Sequence, residues 1–287
     1  MDPVREAPFL GGEAAKEFEN VPGTRYLLRK GGANLEAVLA SELGSSATAL
    51  EWREKQEMLV KWTRDNSMFN EADVAQNFAL YRKYFEDVRG LLTGRVLDVG
   101  GGWGLFRKWW KTGSDACFTV HDPGVERFTV QPPDTLLRYF GDGLAKPVWF
   151  VEGVGERLPY QDGSYDLVMI ASALDHVADP ARVFSEARRV LRPRGLMLVI
   201  QGFDLDAGAP TPKDRTFLAR LARVLADPRR LHRAIRQRLF HRGEPHMHHF
   251  TRESLRRLIA AAGFTLETEN VISDRFGVLG MEARKTG

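Results

Sequence analysis

The run Asp98-Val99-Gly100-Gly101-Gly102-Trp103-Gly104 sets one carboxylate ahead of four glycines. Glycine carries no Cβ to hold a ligand away from the main chain. A strand that runs into such a segment and then into a helix therefore brings backbone N–H groups and a helix N-terminus against a small polar molecule. Two frequent occupants fit the spacing poorly. A dinucleotide fingerprint needs Gly-x-Gly-x-x-Gly/Ala, and counted from Gly100 its third position falls on Leu105; a phosphate cradle needs Gly-Lys-Ser/Thr, which is missing. Asp122 follows 24 residues after Asp98, at the end of the next apolar run, where open α/β sheets place the carboxylate that accepts both ribose hydroxyls. The alternative is a turn former ahead of Pro123 and Gly124; the position after a strand favours the ribose role.

Imidazoles supply the remaining chemistry. His176, beside Asp175, follows the fourth apolar run and is a candidate general base. The plainer reading, which the sequence favours, is a pocket-shaping loop with His176 bonded to backbone. His246, His248 and His249 form the densest cluster and are candidates for acceptor recognition or base duty, with a polar loop lining the cleft as the blander reading. No metal site is expected there: an extended segment puts His246 and His248 on one side and His249 on the other, and no carboxylate is close in sequence. Trp103, Trp109 and Trp110 are expected to pack a helix rather than stack on a ligand. The single cysteine, Cys117, sits in an apolar run and reads as a buried small residue.

The elements that must hold these residues can be read from periodicity. Arg95-Val99, Phe118-His121, Pro147-Val151, Asp166-Ile170 and Leu196-Ile200 have strand length, and the last two are too apolar for a solvated face, which implies a parallel sheet. Between them Asp179 is an N-cap with Pro180 in the first turn, and Val183, Phe184, Ala187, Val190 and Leu191 make one face, so the segment is a βαβ unit. Thr251 caps a second helix, with Gly263 past its end and two alternating strands at about 264–271 and 276–284. Ahead of the sheet, Trp52, Leu59 and Trp62, then Phe78, Tyr81, Phe85 and Val88, recur at helical spacing. Residues 1–45 show no sustained period. The expected organisation is an N-terminal extension over 1–70, partly helical, and a catalytic domain over 71–287 with a helical insert at about 207–245.

With 287 residues, 43% of them hydrophobic, the chain can bury a substantial core. No stretch reaches the ~20 apolar residues that span a bilayer, and the start lacks a secretory pattern, so a cytoplasmic protein is expected. The net charge of +3, from 41 basic and 38 acidic residues, says little about partners. Its distribution says more, because the segment 213–242 holds ten lysines and arginines against Asp214 and Asp227. Such a block would draw an anionic ligand or a membrane surface; a solvated outer helix face is the bland alternative. No feature specifies an oligomeric state.

Taken in order, Val96-Leu97-Asp98-Val99-Gly100-Gly101-Gly102-Trp103-Gly104, His121-Asp122-Pro123, Gly155-Glu156-Arg157-Leu158-Pro159, Ser164-Tyr165-Asp166-Leu167-Val168, Leu174-Asp175-His176-Val177 and Val190-Leu191-Arg192-Pro193-Arg194-Gly195 resemble the class I S-adenosylmethionine (SAM)-dependent methyltransferases, of the methyltransferase type 11-like kind. The resemblance covers about 94–200 and, through the last helix and strands, the C-terminus; 1–70 and 204–245 lie outside it. It implies a Rossmann-like, doubly wound α/β sheet of about seven strands, with an antiparallel C-terminal hairpin, N-terminal helices and a helical insert after the fifth strand. It implies SAM as cofactor, with Gly100, Gly101, Gly102 and Gly104 supporting the methionine part, Asp98 orienting its amine, Asp122 on the ribose, and Val154, Gly155 and Glu156 beside the adenine; Ala171 completes the implied set. Three departures stand out. Val154 replaces a frequent acid, Arg194 stands where the turn usually has glycine, and 127–144, with Pro132-Pro133, matches the expected helix poorly. The implied activity is methyl transfer to a small-molecule, sugar or lipid-linked acceptor. An RNA methyltransferase is the alternative that the arginines of the insert suggest, without a recognisable RNA module; a non-catalytic SAM-binding scaffold is the alternative of another class.

Overall fold

The computed structural model describes residues 10, 14–21, 24–30, 39–41, 46–64, 71–87, 92–113, 116–129, 132–203, 245–273 and 277–286. The basic insert, with all ten of its cationic residues, therefore lies outside the described residues.

The apolar runs become the strands β1 (Phe18–Asn20), β2 (Tyr26–Arg29), β3 (Arg95–Val99), β4 (Cys117–Asp122), β5 (Trp149–Glu152), β6 (Tyr165–Ala171), β7 (Leu191–Gly202), β8 (Phe264–Ser273) and β9 (Val278–Lys285). They form one sheet in the order β1-β2-β5-β4-β3-β6-β7-β9-β8. From β2 to β7 neighbours run parallel, and β1 and the β8–β9 hairpin run antiparallel at the edges. The class is as expected, but among the described residues the strand count is nine rather than seven. The two extra strands come from the N-terminal segment, where runs of three and four residues are too short to establish a period. Tyr26 stacks on Phe150 of β5 at 4.8 Å between ring centroids, and the Arg29 N–H donates to Glu152 Oε2 at 2.8 Å.

Alternation sends each central strand into two cores. Leu97, Val99, Val168 and Ile170 pack with Val183, Phe184, Ala187 and Val190 on one face; Val96, Leu167, Met169 and Leu198 pack with Tyr84, Phe85 and Trp110 on the other. Among the described residues the helices are α1 (Ser46–Arg64), α2 (Glu71–Asp87), α3 (Asp134–Leu144), α4 (Pro180–Val190) and α5 (Arg252–Ala261). Among the described residues no helix is long and apolar enough to cross a membrane. The Asp179 carboxylate accepts from the N–H groups of Ala181 and Arg182 at the start of α4, and Thr251 and Ser254 form a reciprocal capping box at α5. Arg194 has φ of 61°, so it occupies the left-handed position that glycine usually fills.

Two expectations fail locally. The helix after β4 does form: Pro133 precedes its first turn, where proline costs no hydrogen bond, and Asp134 leads it. The glycine run, in contrast, enters only a 3-10 turn over Leu105–Lys108. Buried Arg107 donates to the carbonyls of Trp103, Gly143 and Leu144, pinning the turn to the end of α3. Trp110, buried against Phe118, fixes the exit.

Candidate active site

The chain order reverses around β3, which has β4 on one side and β6 on the other; open α/β sheets bind ligands at the carboxyl ends of such strands. Here the ends of β3, β4, β5 and β6 open into one cavity of about 520 Å³. Its walls include Gly100, Gly102, Trp103, Asp122, Val154, Gly155, Glu156, Ser172, Ala173 and His176, and Trp52, Gln56, Leu59 and Val60 of α1 complete them.

Two carboxylates sit at this reversal in opposite circumstances. Asp122 is satisfied: its Oδ1 accepts from Gly124 N at 2.7 Å and its Oδ2 from Gly102 N at 3.1 Å. It thereby ties the glycine loop to the turn after β4, and each oxygen keeps a lone pair for a ligand hydroxyl. Burial raises its pKa, partly opposed by those two N–H groups and by Arg127. Asp98 is completely buried, and neither of its oxygens has a hydrogen-bond partner among the described residues. Burial, reinforced by the Asp122 charge and only partly offset by Arg107, pushes its pKa up to about 8. A Cβ at Gly101 would overlap the Asp98 carboxylate, and one at Gly100 would overlap the Ala173 methyl. The glycines thus leave room for the carboxylate on one side and for close loop packing on the other. An orphaned buried carboxyl is rare enough to need a partner, and a cationic group would supply one.

The β5 turn is set by His121, a residue whose buried role went unread in the sequence. Its Nε2 lies 3.1 Å from the Val154 carbonyl, which can only accept, so Nε2 carries the proton and Nδ1 accepts from Tyr160 Oη at 3.0 Å. Burial lowers the His121 pKa to about 3, so the ring is neutral. Glu156 lines the cavity, but its Oε1 accepts from Ala178 N at 2.6 Å and Asp179 N at 3.1 Å. Its carboxylate is therefore committed to shaping the loop before α4. Of the other sequence candidates, Gly101 and Gly104 support the loop from behind, and Ala171 is buried in the sheet one residue short of the cavity, where Ser172 and Ala173 stand instead. Ser172 holds φ of 50°, a strained conformation for a residue with a side chain.

The histidines separate. His176 lines the cavity, with its Nδ1 3.3 Å from the Pro245 carbonyl; burial lowers its pKa, Asp175 opposing. His246 joins it, with ring centroids 4.9 Å apart. His248 turns away, its Nε2 3.3 Å from the Ala178 carbonyl, and His249 is exposed, 6.3 Å from His246 between centroids. The expected pairing of His246 with His248 fails because the chain bends at Met247, where the N–H groups of Met247 and His248 both donate to the Asp175 carbonyl. Of the three tryptophans, Trp109 stacks on Phe85 at 4.6 Å and Trp110 is core, as packing residues. Trp103 instead faces the cavity beside Phe128.

Comparison with known proteins agrees with this geometry. Residues 97–199 match the family described as methyltransferase domain. The chain is 33% identical over 125 residues to the ubiquinone/menaquinone biosynthesis C-methyltransferase UbiE of Hahella chejuensis, covering 42% of this chain and 49% of that one. It is 36% identical over 104 residues to an uncharacterized methyltransferase of Mycobacterium sp. (strain KMS), covering 36% and 37%. The chain thus spans half or less of the length of these curated relatives. In fold it is similar to a chain from a structure described as the complex between the Haloferax volcanii Trm112 methyltransferase activator and the putative methyltransferase, with a TM-score of 0.50 and 15% identity over 76% of this chain and 94% of that chain. Residues 97–199 are thus the part of the chain that is similar to the methyltransferase domain, and they carry the glycine loop, the acidic strand ends and the central parallel strands of the Rossmann-like sheet.

Proposed function

We propose that this chain transfers a methyl group from SAM to a small-molecule acceptor held at the His176 end of the cavity. The observation that carries the reading is the buried, partnerless Asp98 carboxylate beside a cavity that Asp122 lines. Asp98 would hold the amine of SAM, Asp122 its ribose hydroxyls, and the Val154–Glu156 turn its adenine. SAM supplies an electrophilic methyl group. The work left to the chain is alignment, exclusion of water by α1, and, for a hydroxyl acceptor, removal of a proton at His176.

Calorimetry with S-adenosylhomocysteine tests the cofactor assignment. Asp122→Ala should cost about 1.5–3 kcal/mol of binding, the range for hydrogen bonds to a charged group. Absence of binding by folded protein, or preference for NAD, would sink the reading. Turnover with labelled SAM over an acceptor panel, followed by mass spectrometry, identifies the acceptor. The basic block 213–242 supports an anionic or lipid-linked one. On that reading activity falls with added salt and with reversal of Arg229, Arg230 and Arg233 to glutamate while cofactor binding holds; indifference to both points to a neutral acceptor.

A further inference from the structure

We propose that Asp175, His176 and His246 form a binding site for one first-row divalent cation at the rim of the cavity. Each offers a ligand atom, and the three atoms lie within 4.8 Å of one another, the one group of this kind among the described residues. Asp175 Oδ2 is 3.5 Å from His246 Nε2, and Asp175 Oδ1 is 3.8 Å from His176 Nε2. Two ligands at ~2.1 Å from a shared ion in tetrahedral array stand about 3.4 Å apart, close to the two Asp175–imidazole separations, and the wider spacing within the cluster would close through side-chain rotation as the ion binds.

The convergence is built into the main chain. Asp175 and His176 lie in a 3-10 turn after β6, and His246 arrives from a distant segment that Met247 N anchors to the Asp175 carbonyl at 2.7 Å. That contact supplies the carboxylate that the histidine cluster lacks in its own sequence neighbourhood. The Pro245 carbonyl opposite His176 Nδ1 can only accept, so in the neutral ring Nδ1 holds the proton and Nε2 presents a bare lone pair toward Asp175. A backbone carbonyl on the remote nitrogen is the usual way a metal-binding imidazole is oriented. Asp175 Oδ1 meanwhile is buried and accepts no hydrogen bond. Two acceptors face each other with nothing donated between them, and a cation resolves the mismatch. Two imidazoles and one carboxylate suit zinc, manganese, iron, cobalt or nickel more than magnesium or calcium, and leave coordination positions free. Because His176 also lines the cavity, an ion there would face an oxygen-bearing acceptor and, by occupying Nε2, would replace His176 as the group that promotes loss of the acceptor proton; that consequence rests on the transferase reading, whereas binding of the ion does not.

The test uses tag-free, full-length protein stripped with a chelator, then titrated with Co²⁺ by visible absorption and with Zn²⁺ by calorimetry. One equivalent should bind per chain, and Asp175→Asn and His246→Gln should each weaken binding at least about tenfold with S-adenosylhomocysteine affinity unchanged. In the wild type, where folding is not in question, Zn²⁺ should shift the Nε2 resonances of His176 and His246 in long-range ¹⁵N–¹H spectra and leave His248 and His249 in place. Absence of stoichiometric binding, variants that bind as the wild type does, or shifts confined to other histidines would overturn the site. Metal binding by protein that fails to bind S-adenosylhomocysteine would support the site and tell against the transferase reading instead.

Discussion

Replacing Asp98 by asparagine should make the free protein more stable as the pH rises, relative to the wild type, while destroying its affinity for cofactor. Asp98 has an ordinary pKa of 3.8 when exposed and about 8 in the folded chain. Between those values the folded state holds a proton that the unfolded state has released, so wild-type stability falls as pH increases, by up to about 1.4 kcal/mol per unit. From 3.8 to pH 7 the loss accumulates to roughly 4 kcal/mol as an upper limit, and it levels off above about pH 8. The amide of the Asp98→Asn variant cannot titrate, but it is buried without partners at a cost of about 1–3 kcal/mol, so the absolute gain is smaller than the slope suggests. The slope is therefore the quantity to measure. Urea unfolding of both proteins at about pH 5, 6, 7 and 8 should give a stability difference that grows in favour of the variant by about 1.4 kcal/mol per unit. The same linkage acts on ligand binding: a cationic amine beside Asp98 ionises it, so wild-type affinity should rise toward pH 8 with a heat that depends on the buffer. Parallel pH profiles for the two proteins would refute the buried, protonated Asp98.

Three other outcomes follow from single residues. Gly100→Ala places a Cβ against the Ala173 methyl at φ of 71°; beyond the ~1–2 kcal/mol of left-handed strain it should lower the melting temperature and abolish S-adenosylhomocysteine binding, and an unchanged melting temperature would contradict the packing described. Glu156→Ala strands the N–H groups of Ala178 and Asp179, which should remove about 2–5 kcal/mol of unfolding free energy, whereas Glu156→Gln, retaining an acceptor, should recover most of it. Arg194→Gly relieves a φ of 61° and should stabilise by up to about 1 kcal/mol after the greater freedom of glycine in the unfolded chain is subtracted; chemical denaturation reads both.

The sheet and its cofactor end were legible because their signals are local. Asp122 closes an apolar strand and Asp98 stands one residue before the end of another, Asp179 and Thr251 are caps next to what they cap, and the buried runs of β6 and β7 admit no solvated face. What stayed hidden depends on distance in sequence. β1 and β2 are too short for periodicity, and their place beside β5 rests on Tyr26 stacking on Phe150 and on Glu152 reaching the Arg29 N–H. The helical spacing of Trp52 and Leu59 revealed α1 but not that its side chains close the cavity. The signal for β2 was present in Val21-Pro22-Gly23-Thr24, a turn sequence ahead of Tyr26-Leu27-Leu28. His246 could not be assigned to Asp175 from a segment 71 residues away, because the bend at Met247 breaks the alternation that extended chain would impose.

The contrast between the two carboxylates argues that the site is arranged for a ligand with one cationic and one hydroxyl-bearing part. A carboxylate meant only to stabilise the loop would resemble Asp122, with an N–H on each oxygen. Asp98 has none and lies where the Asp122 charge makes its ionisation harder. Nothing in the packing of β3 requires an acid there; a valine would continue the core that Val96 begins on the same face. Its cost to the free protein is explained if a bound cation offsets it. Below about pH 8 that cation must first displace the carboxyl proton, and the work of doing so grows as the pH falls. A fixed concentration of S-adenosylhomocysteine should therefore raise the melting temperature more at pH 8 than at pH 6, because the affinity that sets the shift is lower where the proton is held more firmly. A shift of equal size at the two pH values would mean that the ligand leaves the protonation of Asp98 unchanged.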